Sequence, residues 1–573
     1  MKRLKKLVPD LKLLIAGAFL LAMISFMLPN GLASDNDKKS DSDAIKAPFD
    51  MPEIAAPQFP DYSVSITNFG AVGDGHTMNT VAFANAIAAC AKSGGGRVIV
   101  PAGLWLTGPV ILKSNIDLHV DQGALILFSR NIEDYPLIQS NWEGLPRVGR
   151  TPPIYGVDLE NIAITGQGII DGSGDAWRPV KKFKMTGQQW NVLLASGGVV
   201  DERGSIWWPS REALNAPELL RELADRKDVS LEHYGAAREY LRPVMVNLVQ
   251  CKNVLLDGPT FQNSPAWNIH PLMCENMIIR NITVRNPWYS QNGDGLDLES
   301  CRNVLVYNCR FDVGDDAICL KSGRNEYGRK RGMPTENVFI TDCIVYHGHG
   351  GFTVGSEMSG GVRNIIIRNC TFMGTDVGLR FKSTRGRGGV VENIYISDIR
   401  MTDIPTDAIG FNMFYEGQAP IAEEDSPSRP LEQTIPPVTE ETPCFRKIYL
   451  NNIVCKGADR AIYMLGLPEM AINRIELNNI TISSKRGLEA FDAEKITLNN
   501  VTILPETGPA FSFHNSRDVF LQNVIFPNGA DVYVKLTGNR TRGIVFGSED
   551  LEYMKSKIQL GKDVRPDAIS GMD

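Results

Sequence analysis

The stretch Glu275-Asn276-Met277-Ile278-Ile279-Arg280-Asn281-Ile282-Thr283-Val284 decides the fold. Two short apolar runs, rich in β-branched residues and alternating with polar ones, are each introduced by an asparagine. A period of two means strand and not helix. The unit appears earlier as Glu160-Asn161-Ile162-Ala163-Ile164-Thr165 and Lys252-Asn253-Val254-Leu255-Leu256. It returns at Asn303, Asn337, Asn364 and Asn393, and in degenerate form at Lys447, Arg474, Lys495 and Asp518. From Asn253 to Asn393 the intervals are 23, 27, 34, 27 and 29 residues. Strands this short cannot bury an inner face alone and must stack on their neighbours. The expected architecture is an all-β solenoid, a right-handed single-stranded parallel β-helix. An asparagine at one phase of each coil suits a turn, where its side chain bonds the backbone and tolerates unusual φ/ψ. Asn281, Asn369, Asn479 and Asn500 match glycosylation sequons but fall inside the repeat, and read as structural.

Two segments break the period. Asn79–Lys92 is helical in pattern, ends at Gly94-Gly95-Gly96, and would cap the open N-terminal edge of the solenoid. The second, about 173–241, has helical stretches near Glu212–Lys227 and Leu231–Leu241. It holds Trp177, Trp190, Trp207 and Trp208, four of the eight tryptophans, and reads as a folded insertion. Ahead of the solenoid, Lys2, Arg3, Lys5 and Lys6 precede an apolar run from Leu13 to Leu28 and a small-x-small site at Gly31-Leu32-Ala33. Residues 1–34 thus read as a signal peptide, the run being shorter than the roughly 20 residues a spanning helix needs. Export to the periplasm or outside the cell follows, with no membrane association after cleavage. Residues 35–60 are polar and Pro-rich, a flexible linker. The β-helix is expected over 61–546, and 547–573 is a tail without a motif.

With 43% hydrophobic and 22% charged residues the chain has ample core-forming material, and its formal net charge of −7 argues against a nucleic-acid partner. The ten cysteines lack CxxC or Cys/His spacing, so zinc is not expected. Cys274, Cys301, Cys309, Cys319, Cys343 and Cys370 sit beside strand-like runs and read as stacked, buried free thiols.

The chemistry lies in four segments: Asn292-Gly293-Asp294-Gly295-Leu296-Asp297, Gly314-Asp315-Asp316, Gly348-His349-Gly350 and Arg380-Phe381-Lys382. Asp294 and Asp315 are 21 residues apart, His349 follows Asp315 by 34, and Arg380 follows His349 by 31. At coil spacing these segments superpose, giving clustered carboxylates, an imidazole and a basic clamp in one groove. Such charge is too costly to bury for packing alone. Crowded carboxylates raise at least one pKa, as a general acid at a glycosidic oxygen requires, and room for a water suits inversion. Each segment alone reads as a turn; together at coil spacing they read as a site. A calcium site is the other reading of clustered aspartates, opposed by the cations one coil away. Further cations at Arg324, Arg329, Lys330, Arg331, Arg385 and Arg387 suggest a substrate that carries carboxylates.

These motifs resemble those of the polygalacturonases, family 28 of the glycoside hydrolases, whose pattern is Asn-Thr-Asp, Asp-Asp, Gly-His-Gly and Arg-Ile-Lys. The resemblance runs from Phe69-Gly70-Ala71-Val72-Gly73-Asp74-Gly75 through Trp267-Asn268-Ile269-His270-Pro271 to about Asn393, and more weakly to about Phe546. It implies Asp315 as general acid, Asp294 and Asp316 as the groups that activate water, and His349 as support for the acid. It implies Arg380 and Lys382 as holders of a sugar carboxylate, Asn292 as an orienting residue, and Asn268 and His270 as subsite residues. An inverting hydrolase of pectic polysaccharide or oligogalacturonide follows, needing no metal and no cofactor. Gly293 stands for the family's Thr and Phe381 for its Ile. Lys321-Ser322-Gly323-Arg324-Asn325-Glu326-Tyr327-Gly328-Arg329 is similar to bacterial exo-acting members, which makes Arg324 a candidate substrate contact, and the Trp-rich insertion would wall off one end of the groove. The rival readings are a hydrolase of another pectic backbone such as rhamnogalacturonan, a calcium-dependent pectin lyase, and a non-catalytic carbohydrate-binding β-helix.

Overall fold

The computed structural model describes residues 48–224, 226, 228–416, 435–525, 532–547 and 554–571. The expected signal peptide and the first part of the linker lie outside these residues. From Ile54 onward the chain forms one compact unit, built of parallel strands that stack coil upon coil. One row shows the register. Val254 lies opposite Met277, which lies opposite Val304, and the row continues through Val338, Ile365, Ile394, Ile448, Ile475, Ile496, Val519 and Ile544. All of these side chains are buried, each contributing about 1.5–3 kcal/mol relative to exposure. The parallel β-helix expected from the spacing is therefore the architecture observed.

The asparagines explain why the coils stay in step. Asn161, Asn253, Asn276, Asn303, Asn337, Asn364 and Asn393 all adopt left-handed backbone with φ between 52° and 58°, a conformation asparagine tolerates better than most residues. Each side-chain amide donates to the Oδ1 of the asparagine one coil before, in an unbroken ladder from Asn393 back to Asn115 at 3.0–3.3 Å. Lys447, Arg474, Lys495 and Asp518 keep φ at 54° without the amide. Later coils thus preserve the turn while giving up the asparagine ladder bond, worth about 1 kcal/mol each. The sequon asparagines sit in similar ladders: Asn281 donates to Asp257 at 2.7 Å and accepts from Asn308 at 2.8 Å, and Asn500 donates to Asn479 at 2.7 Å. All ten cysteines are free and buried. Several thiols donate to main-chain carbonyls, as Cys274 does to Leu248 at 3.1 Å, and burial pushes the Cys274 and Cys319 thiols up.

The helix Thr80–Lys92 buries Phe83, Ala86, Ile87 and Cys90 in the solenoid core and packs on the strands Ser63–Ser65, Gly96–Val100 and Ile116–Val120. The ordered unit is longer than expected at both ends. Ile54 is already buried, so residues 54–60 are not a free linker. Ile558–Leu560 and Ile569–Gly571 add strands to Val534–Thr537 and Arg542–Phe546. These terminal strands have three residues each and no introducing asparagine, which hid them from the repeat pattern.

The insertion carries an antiparallel sheet of Val180–Lys181, Ile206–Trp208 and Val199–Val200, helices Gly187–Ala195 and Arg211–Ala224, and a 3-10 segment Leu231–Ala237. The first helix was not expected. Val180, Trp190 and Trp207 form a small core against Tyr289. Ala216, Ala237 and Leu241 form another with Val148, which holds an antiparallel hairpin, Leu137–Trp142 with Leu145–Arg150, against the insertion. Among the described residues, no helix is long and apolar enough to cross a membrane.

Candidate active site

Three consecutive coils present the strands Leu296–Glu299, Ile318–Lys321 and Ile344–Val354, followed by Thr375–Lys382, side by side. Asp297, Cys319, Thr353 and Arg380 occupy one cross-strand row. The acidic motifs precede these strands, yet the main-chain ladder extends through them: Gly295 donates to the Asp316 carbonyl at 2.9 Å and Ala317 to that of Gly350 at 2.9 Å. His349 donates its main-chain N–H to the Asp315 carbonyl at 2.8 Å. All four segments therefore meet in one place.

Asp294, Asp315 and Asp316 present oxygens within 4.8 Å of one another. Their surroundings drive them apart in acidity. Burial, then the charges of Asp297 and Asp315, hold the Asp294 carboxyl well above the usual carboxylate range, and its Oδ1 is buried without a hydrogen-bond partner. Burial also acts to raise Asp315, but the bond to His349 Nδ1 at 3.0 Å and the imidazole's charge outweigh it, so this carboxyl lies below its ordinary value. The same contact holds His349 above the usual imidazole range, against the effect of its own burial. Asp316 is held lowest. Burial is outweighed by Lys382 at 2.7 Å, Arg380 at 3.0 Å and the more distant charge of Lys321. Thr353 Oγ1 donates to the same carboxylate at 3.0 Å. By spacing alone the three carboxylates would admit a cation. Their charge is already met by Lys382, Arg380 and His349, which leaves less for a divalent ion to neutralise.

Gly293 has a local reason. A Cβ there would fall 1.9 Å from Ser290 Oγ, so Ser290 fills the space a threonine would need. Phe381 points into the solenoid, stacked on Phe411 at 4.6 Å, and leaves the cleft to Arg380 and Lys382 on either side.

Other candidates are placed differently from expectation. Asn292 accepts from Arg242 Nη2 at 2.9 Å, while Arg242 Nη1 donates to the Gln291 carbonyl at 2.7 Å; an arginine at the end of the insertion thus fixes this turn. Asn268 and His270 do not line an open subsite. His270 is 1% exposed, bonded to Glu299 at 3.0 Å and Asn247 at 3.3 Å, and covered by Trp267 edge-on at 5.1 Å. Asn268 is fully buried beside Asn286. Arg324 pairs with Glu143 of the hairpin at 2.8 Å. The nearby cations are also engaged: Arg331 with Glu299, Lys330 with Glu326, Arg385 with Glu469, and Arg387 with Asn325. Paired in this way, they carry less weight as a sign of an anionic substrate than their number implies.

Several groups were not singled out from sequence. Trp142 of the hairpin stacks on Trp267 at 4.8 Å, and Lys321 lies over Trp267 at 4.7 Å. Buried Lys321 contacts Glu357 at 3.2 Å and Asp297 at 3.6 Å, and burial pushes Asp297 up to about 8 against the pull of that lysine. Tyr415 lies under Lys382 at 4.9 Å. Lys184 and Asp376 both reach His349. Asp297 lies within the first motif, Trp267 and Lys321 within the quoted stretches, and Asp376 one coil after His349; Trp142 and Lys184 come from segments far away in sequence.

A profile of the family described as Glycosyl hydrolases family 28 matches residues 233–451. A probable polygalacturonase of Vitis vinifera is 28% identical over 470 residues, covering 78% of this chain and 82% of that protein. An exo-poly-alpha-D-galacturonosidase of Dickeya chrysanthemi is 29% identical over 360 residues, covering 61% of this chain and 57% of that protein. The crystal structure of a hyperthermoactive exopolygalacturonase from Thermotoga maritima superposes with a TM-score of 0.65 at 34% identity, over 79% of this chain and 94% of that one. The match to nearly the whole of that structure joins the motif-bearing cleft to a single lineage: the chain belongs to glycosyl hydrolase family 28.

Proposed function

We propose that the protein is a polygalacturonase that hydrolyses α-1,4-galacturonosyl linkages of pectin. The observation that carries this reading is the Asp315–His349 pair beside Asp294 and Asp316. The pair holds one proton across a 3.0 Å bond. Moving that proton to Asp315 makes the acid that protonates the leaving oxygen, and no proton need enter from solvent. Asp294 and Asp316 hold the attacking water. Both oxygens of Asp316 are occupied by Lys382, Arg380 and Thr353, so it is a poor nucleophile toward carbon. Asp294, with its unpartnered Oδ1, has a place for the water. It enters the step as the carboxylate, its own proton having passed to solvent. It takes the water's proton as the water oxygen bonds to the anomeric carbon and the leaving oxygen departs with the proton of Asp315. Inversion is the outcome proposed, with the water held by Asp294 and Asp316 displacing the leaving group in one step. The oxygen gaps within 4.8 Å are shorter than the roughly 6.5–9.5 Å common between inverting carboxyl groups, so distance is not the argument. Arg380 and Lys382, with Tyr415 beneath them, are the groups proposed to meet a sugar carboxylate.

The same reading makes the enzyme exo-acting. The 137–150 hairpin, anchored by Trp142 on Trp267 and Glu143 on Arg324, stands where the catalytic strands end and limits how much chain can extend past the site. This wall was expected from the insertion; the insertion contributes by bracing the hairpin. Early digests of polygalacturonic acid should contain one short product of fixed length, and replacing residues 138–149 by a tight turn should yield mixed oligomers. Mixed oligomers from the intact protein at the earliest time points would sink the exo assignment. Within this proposal the coils wind right-handed, the Thr80–Lys92 helix caps the first coil, and the enzyme is exported to act on cell-wall polymer in the periplasm or outside the cell.

A further inference from the structure

Two charged side chains in the cleft are used by neither the motifs nor the proposed mechanism, and both converge on one atom. Lys184 Nζ lies 3.4 Å from His349 Nε2 and donates to the Gly314 carbonyl at 3.3 Å. Asp376 Oδ2 lies 3.7 Å from the same Nε2. The opposite ring nitrogen, Nδ1, is on Asp315 at 3.0 Å.

Lys184 is held by the fold of the insertion, and Asp376, half exposed, is held at its main chain. Lys184 ends the turn Lys182–Lys184, which follows the strand Val180–Lys181. That strand pairs with Ile206–Trp207, and the helix after the turn begins with a full capping box at Thr186 and Gln189. Trp190 and Trp207 pack with Val180 behind it. Asp376 lies at the start of the strand Thr375–Lys382, and its carbonyl accepts from Thr406 Oγ1. The insertion thus delivers an ammonium, and the solenoid a carboxylate, to the outer nitrogen of the imidazole.

Their effects on that nitrogen oppose each other. An ammonium favours the neutral ring, with Nε2 as acceptor and the remaining proton on Nδ1 toward Asp315. A carboxylate favours the imidazolium. The other charges facing the ring are Asp315 itself and Asp316, the latter countered by Arg380 and Lys382; Lys181 is the neighbouring cation on the insertion. We propose that Lys184 and Asp376 are positioning residues that form a charge balance on His349 Nε2, and that this balance sets how tightly the Asp315–His349 pair holds the proton it delivers. The inference rests on Asp315 as proton donor. It adds a function for the insertion: without Lys184, the pair would keep its proton to higher pH.

The test is a pH profile of kcat/KM on oligogalacturonide at constant ionic strength, combined with an NMR titration of His349 in histidine-labelled protein. The resonance is assigned among the seven histidines with His349→Gln. In Lys184→Met the alkaline limb and the imidazole titration should both move up by about 0.5–1 pH unit, the effect of one partly screened neighbouring charge. In Asp376→Asn both should move down by a similar amount. The double variant should return near the original profile, and Lys184→Arg should leave it unmoved. Thermal melts establish that each variant is folded. Opposite NMR shifts without hydrolysis would uphold the charge balance and fail the hydrolase reading alone. Titrations that stay put, or move the same way in both single variants, would overturn the inference.

Discussion

Asp315→Asn is expected to lower kcat on polygalacturonic acid by about 10²–10⁴-fold, the usual contribution of a positioned general acid, with the fold intact. The amide keeps a partner for His349 but cannot deliver a proton to the leaving oxygen. The control is a galacturonide with an activated aryl leaving group, which departs without protonation. On that substrate the Asp315→Asn enzyme should recover most of the loss, whereas Asp294→Asn should not, because its defect lies at the water. A loss in Asp315→Asn that is equally severe on both substrates would remove Asp315 from the acid role. Retained activity on the polymer would do the same.

The second large effect concerns stability. Asp316 is 1% exposed and stays ionised because Lys382 and Arg380 bond it. Removing one partner of a buried pair strands the other's charge, at a cost of about 3–5 kcal/mol. Lys382→Met should therefore lower the denaturation midpoint sharply at pH 7, and adding Asp316→Asn should restore most of it. The sign with pH follows from the depressed carboxyl of Asp316. Its contribution is present above the unfolded aspartate value and is lost as pH falls through the folded one. Lys382→Met brings the folded value back toward the unfolded one, so the stability gap between wild type and variant should narrow on acidification. A variant as stable as wild type at pH 7 would show that Asp316 does not depend on this lysine.

Much of this was legible because a solenoid converts sequence interval into distance. Asn276 and its counterparts announce each coil, and the row from Val254 to Ile544 follows from them. Once coils stack, Asp294, Asp315, His349 and Arg380 must share a cleft. The degenerate coils were found through periodicity, since Lys447 and Arg474 keep the left-handed turn without the asparagine. Contacts made outside the repeat were not legible. Lys184 is 165 residues from His349, and Glu143 is 181 from Arg324. No interval rule relates an insertion or a hairpin to the coil on which it folds back. His270 lies in the strand expected for it, but it is closed in from within the solenoid, by Trp267 three residues before it and by Glu299 and Asn247 on the neighbouring coils, with Trp142 of the hairpin stacked on Trp267. Acidity was read only in part. Crowding predicts that some carboxyl is raised, but which one depends on where the cations settle: they bond Asp316, His349 bonds Asp315, and Asp294 is left without a partner for Oδ1.

The most direct test follows purified protein on polygalacturonic acid, with and without a chelator, recording reducing ends together with the ultraviolet absorbance of unsaturated products. Hydrolysis by the aspartate cluster predicts reducing ends without unsaturation, at a rate the chelator leaves unchanged. Unsaturated product that disappears with the chelator would contradict it, and would make the same carboxylates metal ligands of a lyase.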